Sequence, residues 1–65
     1  MKGLWIKTSR QLPTYNVPVL CWWEGRMPEH MPFRSAVLMC RGPGEWYEHA
    51  VVTPAPSHWL AVEGP

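Results

Sequence analysis

The sequence predicts a small, mostly antiparallel β domain, and three observations predict it. Eight prolines and five glycines cut the 65 residues into short pieces, and a helix of fewer than about 12 residues is marginal without tertiary help. The pieces between them are rich in Val, Trp, Tyr and Leu, which suit a pleated surface. Five tryptophans offer a core. Each large aromatic buries roughly 150–250 Å², and at about 25 cal/mol per Å² one well-buried indole contributes several kcal/mol before costs. A chain of this length buries only about 60% of the surface its unfolded form exposes. It therefore depends on dense packing or on a partner. Residues 1–65 are read as one domain.

The elements follow in order. Residues 4–7 form a short first strand around Trp5 and Ile6. Residues 8–16 are a loop anchored by Leu12 and Pro13. Residues 18–24 form a second strand, with Val19, Cys21 and Trp23 on one face and Leu20 and Trp22 on the other. Both faces are apolar, which predicts a central strand covered on both sides. Residues 25–33 are a long loop. Residues 34–41 form a third strand in which the run from Val37 to Cys40 shows no polar face. Few β-branched residues lie at 35–41, which leaves a turn or two of helix open there. Gly42-Pro43-Gly44 is a turn, because glycine permits positive φ and proline fixes its own. Residues 45–52 alternate as a fourth strand, 53–57 are a rigid Pro-Ala-Pro connection, and 58–62 form a last short strand. Residues 63–65 are expected to fray.

If Arg41 faces Glu45 across the turn, Cys40 opposes Trp46, Met39 opposes Tyr47 and Val37 opposes His49. The expected architecture is an antiparallel meander of four or five short strands, with both terminal tryptophan segments packed onto it. Its core is Trp5, Leu12, Val19, Cys21, Leu38, Trp46 and Trp59.

Composition excludes several functions. Six Lys or Arg against five Asp or Glu give a formal charge of +1. That lacks the basic footprint of a nucleic-acid binder and is too balanced for an acidic mimic of DNA. Near-zero charge gives little colloidal protection, which suits a protein that associates. No signal peptide is visible near Lys2, Lys7 and Arg10, and no run approaches the roughly 18 apolar residues of a membrane span. Cys21 and Cys40 lie in apolar runs outside any CxxC pair, so a cytosolic protein with reduced thiols is expected.

Most site chemistries fail on spacing. His30, His49 and His58 lie 19 and 9 positions apart, and the cysteines 19 apart, so no local ligand pair for zinc exists. Neither metal nor cofactor is expected. The formal Cys/His combinations place the thiol in apolar surroundings, which raise its pKa and make it inert. The serines lack a glycine-flanked elbow, and so short a chain has little room for a water-excluding pocket. No enzyme is expected. Arg41-Gly42-Pro43-Gly44 precedes no helix that could aim amides at a phosphate.

Two binding readings remain. Exposed Trp22 or Tyr47 beside Arg34 or Arg41, with His49 opposite, could stack a planar ring and hold a phosphate. The plainer account puts these aromatics in the core and a subunit interface. Met31 and Phe33, with Met27 and Met39, offer an adaptable apolar surface for a protein partner. The plainer account tucks that loop onto the sheet.

The frames Trp5-Ile6, Leu12-Pro13, Val17-Pro18-Val19-Leu20, Trp46-Tyr47 and His58-Trp59-Leu60 resemble a small family of phage and prophage proteins, domain of unknown function 551. Ser57 stands where that family's closing motif has Thr, and residues 60–65 replace its proline-rich ending. The resemblance implies a phage setting and a small β domain, and it implies no activity. The expectation is a non-enzymatic, self-associating accessory protein of the host cytosol that docks on a host protein and counteracts a defence. The alternative is an oligomer that sequesters a nucleotide-like signalling molecule.

Overall fold

In the computed structural model, which describes residues 5–61, the apolar stretches become six strands. These are β1 (Ile6–Lys7), β2 (Val19–Trp22), β3 (Ser35–Gly42), β4 (Glu45–Tyr47), β5 (Val51–Val52) and β6 (His58–Ala61). Among the described residues there is no helix, and residues 35–41 are strand throughout. All pairings are antiparallel. The expected ends of the first and last strands at Leu4 and Val62, and the fraying at 63–65, lie outside the described residues.

The spatial order is β1-β6-β2-β3-β4-β5. Strands β2 to β5 run as a meander, and β6 returns to lie between β1 and β2. The two terminal segments are thus joined within the sheet itself, with Ile6 opposite Trp59. Trp59 Nε1–H also donates to the Gln11 carbonyl at 2.8 Å, which ties the closing strand to the loop holding Leu12 and Pro13.

Period-two alternation sorts the side chains. One face carries Val19, Cys21, Leu38, Cys40, Trp46, Val52 and Trp59, all buried. Loops close over it: Trp23, Pro13, Pro28 and Pro56 are buried, and Leu12, Met27 and Met31 pack against the cluster. Trp23 Nε1–H donates to the Pro54 carbonyl at 2.8 Å, so the indole is buried with its polar atom satisfied.

The other face is open, which corrects the expectation that β2 is covered on both sides. Leu20, Val37 and Leu60 share one cross-strand row, and Met39, Tyr47 and Val51 share the next. Val37 is 47% and Val51 64% exposed. Among the described residues, Leu12, Met27 and Met31 of the loops pack on the core side, and no second layer covers the other face. Trp5 is likewise not core: it is 40% exposed at the edge of the sheet.

Two further corrections concern β4. The stretch 45–52 folds back on itself at 48–50, where the Glu48 amide donates to the Ala50 carbonyl. A continuous strand would carry Glu48 onto the same face as Trp46. Folding back leaves Glu48 exposed and brings Val52 opposite Trp46. His49 therefore lies in an exposed turn and does not pair with Val37. The expected pairs Cys40–Trp46 and Met39–Tyr47 do form, but Gly42 faces Glu45 and Arg41 is taken up in a register shift. Gly44 has φ +75° after a proline corner, the order of a type II turn. That turn splays a two-residue hairpin, and the irregularity at Arg41 absorbs the mismatch.

Candidate functional site

The row nearest the sheet end runs Lys7, His58, Trp22 and Ser35 across β1, β6, β2 and β3, all on the open face. Trp22 is 38% exposed. Trp5 leans against it with ring centroids 6.3 Å apart and planes tilted 53°. With Glu24 and His58 the two indoles line a cleft of about 270 Å³. A second cleft of about 600 Å³ shares Trp5 and His58 and adds Lys7, Arg10 and Gln11.

Ser57 builds this corner. Its Oγ accepts the Glu24 amide at 2.9 Å, donates toward the Trp22 carbonyl at 3.1 Å and lies 2.8 Å from His58 Nδ1. Its amide donates to the same Trp22 carbonyl. On the far side Thr8 bonds back, its amide donating to the Ser57 carbonyl and its hydroxyl to the Pro56 carbonyl at 2.9 Å. One hydroxyl thus fixes Glu24, Trp22 and the imidazole plane, and it leaves His58 Nε2 as the ring nitrogen with no hydrogen bond among the described residues. The threonine of the resembling motif would keep that hydroxyl.

The residues predicted for ligand binding fall in separate places. Arg34 lies just before β3 and Arg41 near its far end, seven steps or roughly 23 Å apart along an extended strand. Arg34 Nη1 lies 3.0, 3.3 and 2.7 Å from the carbonyls of Trp23, Glu24 and Gly25, so it clamps the bend after β2. Arg41 sits 4.5 Å over the Tyr47 ring, a cation–π contact. The four expected residues Arg34, Arg41, Tyr47 and His49 do not form one patch.

In the long loop Met27 and Met31 turn inward, and the Met31 amide closes a turn on the Pro28 carbonyl. That is the tucked arrangement. Phe33 remains 71% exposed beside a shallow cleft shared with His30, Met31 and Glu48.

Cys21 and Cys40 are free and fully buried. Desolvation pushes the Cys21 thiol up to about 12, so near neutral pH it carries its proton and is no nucleophile. Among the described residues no three of His, Cys, Asp and Glu gather, and no helix is long and apolar enough to cross a membrane. No family model, curated protein or solved structure matches the chain.

Sequence reasoning missed Trp5, Glu24, His58, Lys7 and Arg10 as one neighbourhood. They come together through the β1–β6–β2 pairing, which joins residues about fifty positions apart, and no local spacing signals that.

Proposed function

We propose that this protein is a non-enzymatic, phage-type accessory protein of the host cytosol that acts by binding. It docks on a host protein through the open face of its sheet and counteracts a host defence by occupying that protein. The observation that carries this reading is the apolar face on which Val37 and Val51 are exposed and Leu20, Leu60, Met39 and Tyr47 are half-buried. Contiguous exposed apolar surface marks an interaction site. The buried, protonated Cys21 thiol adds support for binding over covalent chemistry. The host-defence element follows from the phage-type setting that the sequence resembles. Self-association would use the same face, so it competes with docking.

The test is capture of a purified host target, first identified by pull-down, on immobilised protein. Val37→Asp should abolish capture while Phe33→Ser on the long loop leaves it intact. Equal capture by Val37→Asp and wild type would remove the open face from the reading.

A second reading, capture of a nucleotide-like molecule, is favoured by one observation. The Trp5 and Trp22 rings are solvent-accessible, tilted toward each other and flanked by charged side chains.

A further inference from the structure

We propose that the paired clefts around Trp5 and Trp22 form a site for a guanine nucleotide; this rests on the second reading above and names its ligand and residues. The apolar cleft is lined by Trp5, Trp22, Glu24 and His58. The adjoining cleft carries Lys7 and Arg10 and shares Trp5 and His58. The site is thus aromatic and anionic at one end and cationic at the other.

A single ligand class matches that polarity. A purine stacks on one indole and meets the second at its edge, because rings 6.3 Å apart and tilted 53° make a V and not a parallel slot. A carboxylate is acceptor-only, with two oxygens side by side. It suits a base edge that presents two adjacent N–H donors, as guanine does with N1–H and its exocyclic amine. Adenine presents a ring-nitrogen lone pair there and is repelled. The phosphate then faces Lys7 and Arg10. Lys7 lies one strand beyond His58 in the same row, and His58 one strand beyond Trp22. Two strand spacings put Lys7 about 10 Å from Trp22, the reach from base to phosphate. His58 Nε2 sits between, where a sugar hydroxyl can donate to it or accept from it in either tautomer. An organic cation would also favour the indoles and Glu24, but it would meet Lys7 and Arg10 next door.

The experiment titrates the intact chain with guanosine monophosphate, adenosine monophosphate, guanosine and inorganic phosphate, read by calorimetry and by quenching of indole fluorescence. Guanosine monophosphate should saturate and bind at least about tenfold tighter than the adenine nucleotide, the discrimination expected of a bidentate pair. Glu24→Gln should erase that preference with an unchanged melting temperature, since the Glu24 side chain is exposed. The double substitution Lys7→Ala and Arg10→Ala should weaken the nucleotide toward the affinity of guanosine, and added salt should do the same. Equal affinity for the two nucleotides overturns the guanine assignment and leaves nucleotide capture standing. Neither heat nor quenching with either nucleotide overturns both. Full binding by a folded Trp22→Leu protein places the ligand elsewhere and overturns the site.

Discussion

At the scale of single residues, the tryptophans divide into two jobs. Trp23, Trp46 and Trp59 are buried, while Trp5 and Trp22 are half exposed and touch each other. Trp59 fills the core between Ile6 and Cys21 and bonds the Gln11 carbonyl. Trp59→Ala should cost about 3–5 kcal/mol, as much as a core this small supplies, and the protein should show no cooperative melt. Trp22→Ala should melt within a few degrees of wild type. Cys21 gives a pH prediction. Its folded thiol is raised from 9.0 to about 12, so below pH 9 both folded and unfolded forms carry the proton and this thiol's contribution to stability is flat. Between pH 9 and 12 only the unfolded thiol ionises, so stability falls as pH rises. Cys21→Ala, although it leaves a small cavity, should flatten that alkaline slope in denaturant titrations. Trp46 and Trp59 were expected in the core and are buried, whereas Trp23, placed on the face of Val19 and Cys21 but not counted as core, is buried too. The exposure of Trp5 was not legible, because a residue at a sheet edge keeps the strand-like pattern without its cover. Ser57 was not legible either, since its partners lie 33 and 35 positions away.

At the scale of elements, turn chemistry and alternation carried the reading well. The Pro43-Gly44 corner placed Cys40 opposite Trp46 and Met39 opposite Tyr47 as expected. The fold-back at 48–50 is signalled only by Glu48, which a continuous strand would carry onto the buried face of Trp46; the alternation itself runs unbroken through the turn. The fate of Arg34 was also hidden. A basic side chain next to apolar strands reads as a free cation, but this one is occupied by three backbone carbonyls. Arg34→Ala should leave the sheet folded and cost about 1–3 kcal/mol, typical of hydrogen bonds to a charged group. The bend at 24–26 should loosen, and trypsin should cut after Arg26 faster than in wild type. An unchanged cleavage rate would mean that the bend holds itself.

At the scale of the whole molecule, one sheet is sealed by its own loops on one side and bare on the other. The sequence shows apolar residues on both faces of β2 and β3, and that pattern alone looks like burial on both sides. Among the described residues, the placement of Leu12, Met27 and Met31 against the core cluster reveals which face goes without cover. Substituting Val37 or Val51 with Asp should change stability little, because both side chains already meet water. The same substitutions should lower any concentration-dependent mass seen by sedimentation. A mass that stays fixed across concentrations and across these variants would mean that copies of the chain do not meet through this face.

Among the described residues the rims of the sheet are cut short: β1 and β5, its outermost members there, have two residues each. Stubs of that length give a neighbouring backbone almost nothing to zip onto. Growth sideways into a ribbon or fibre through these two edges is therefore disfavoured, and a partner gains more by approaching broadside. A broadside contact between like copies is used up once two of them have met. The geometry thus favours closed pairs over endless stacks, even for a chain that carries so much oily surface.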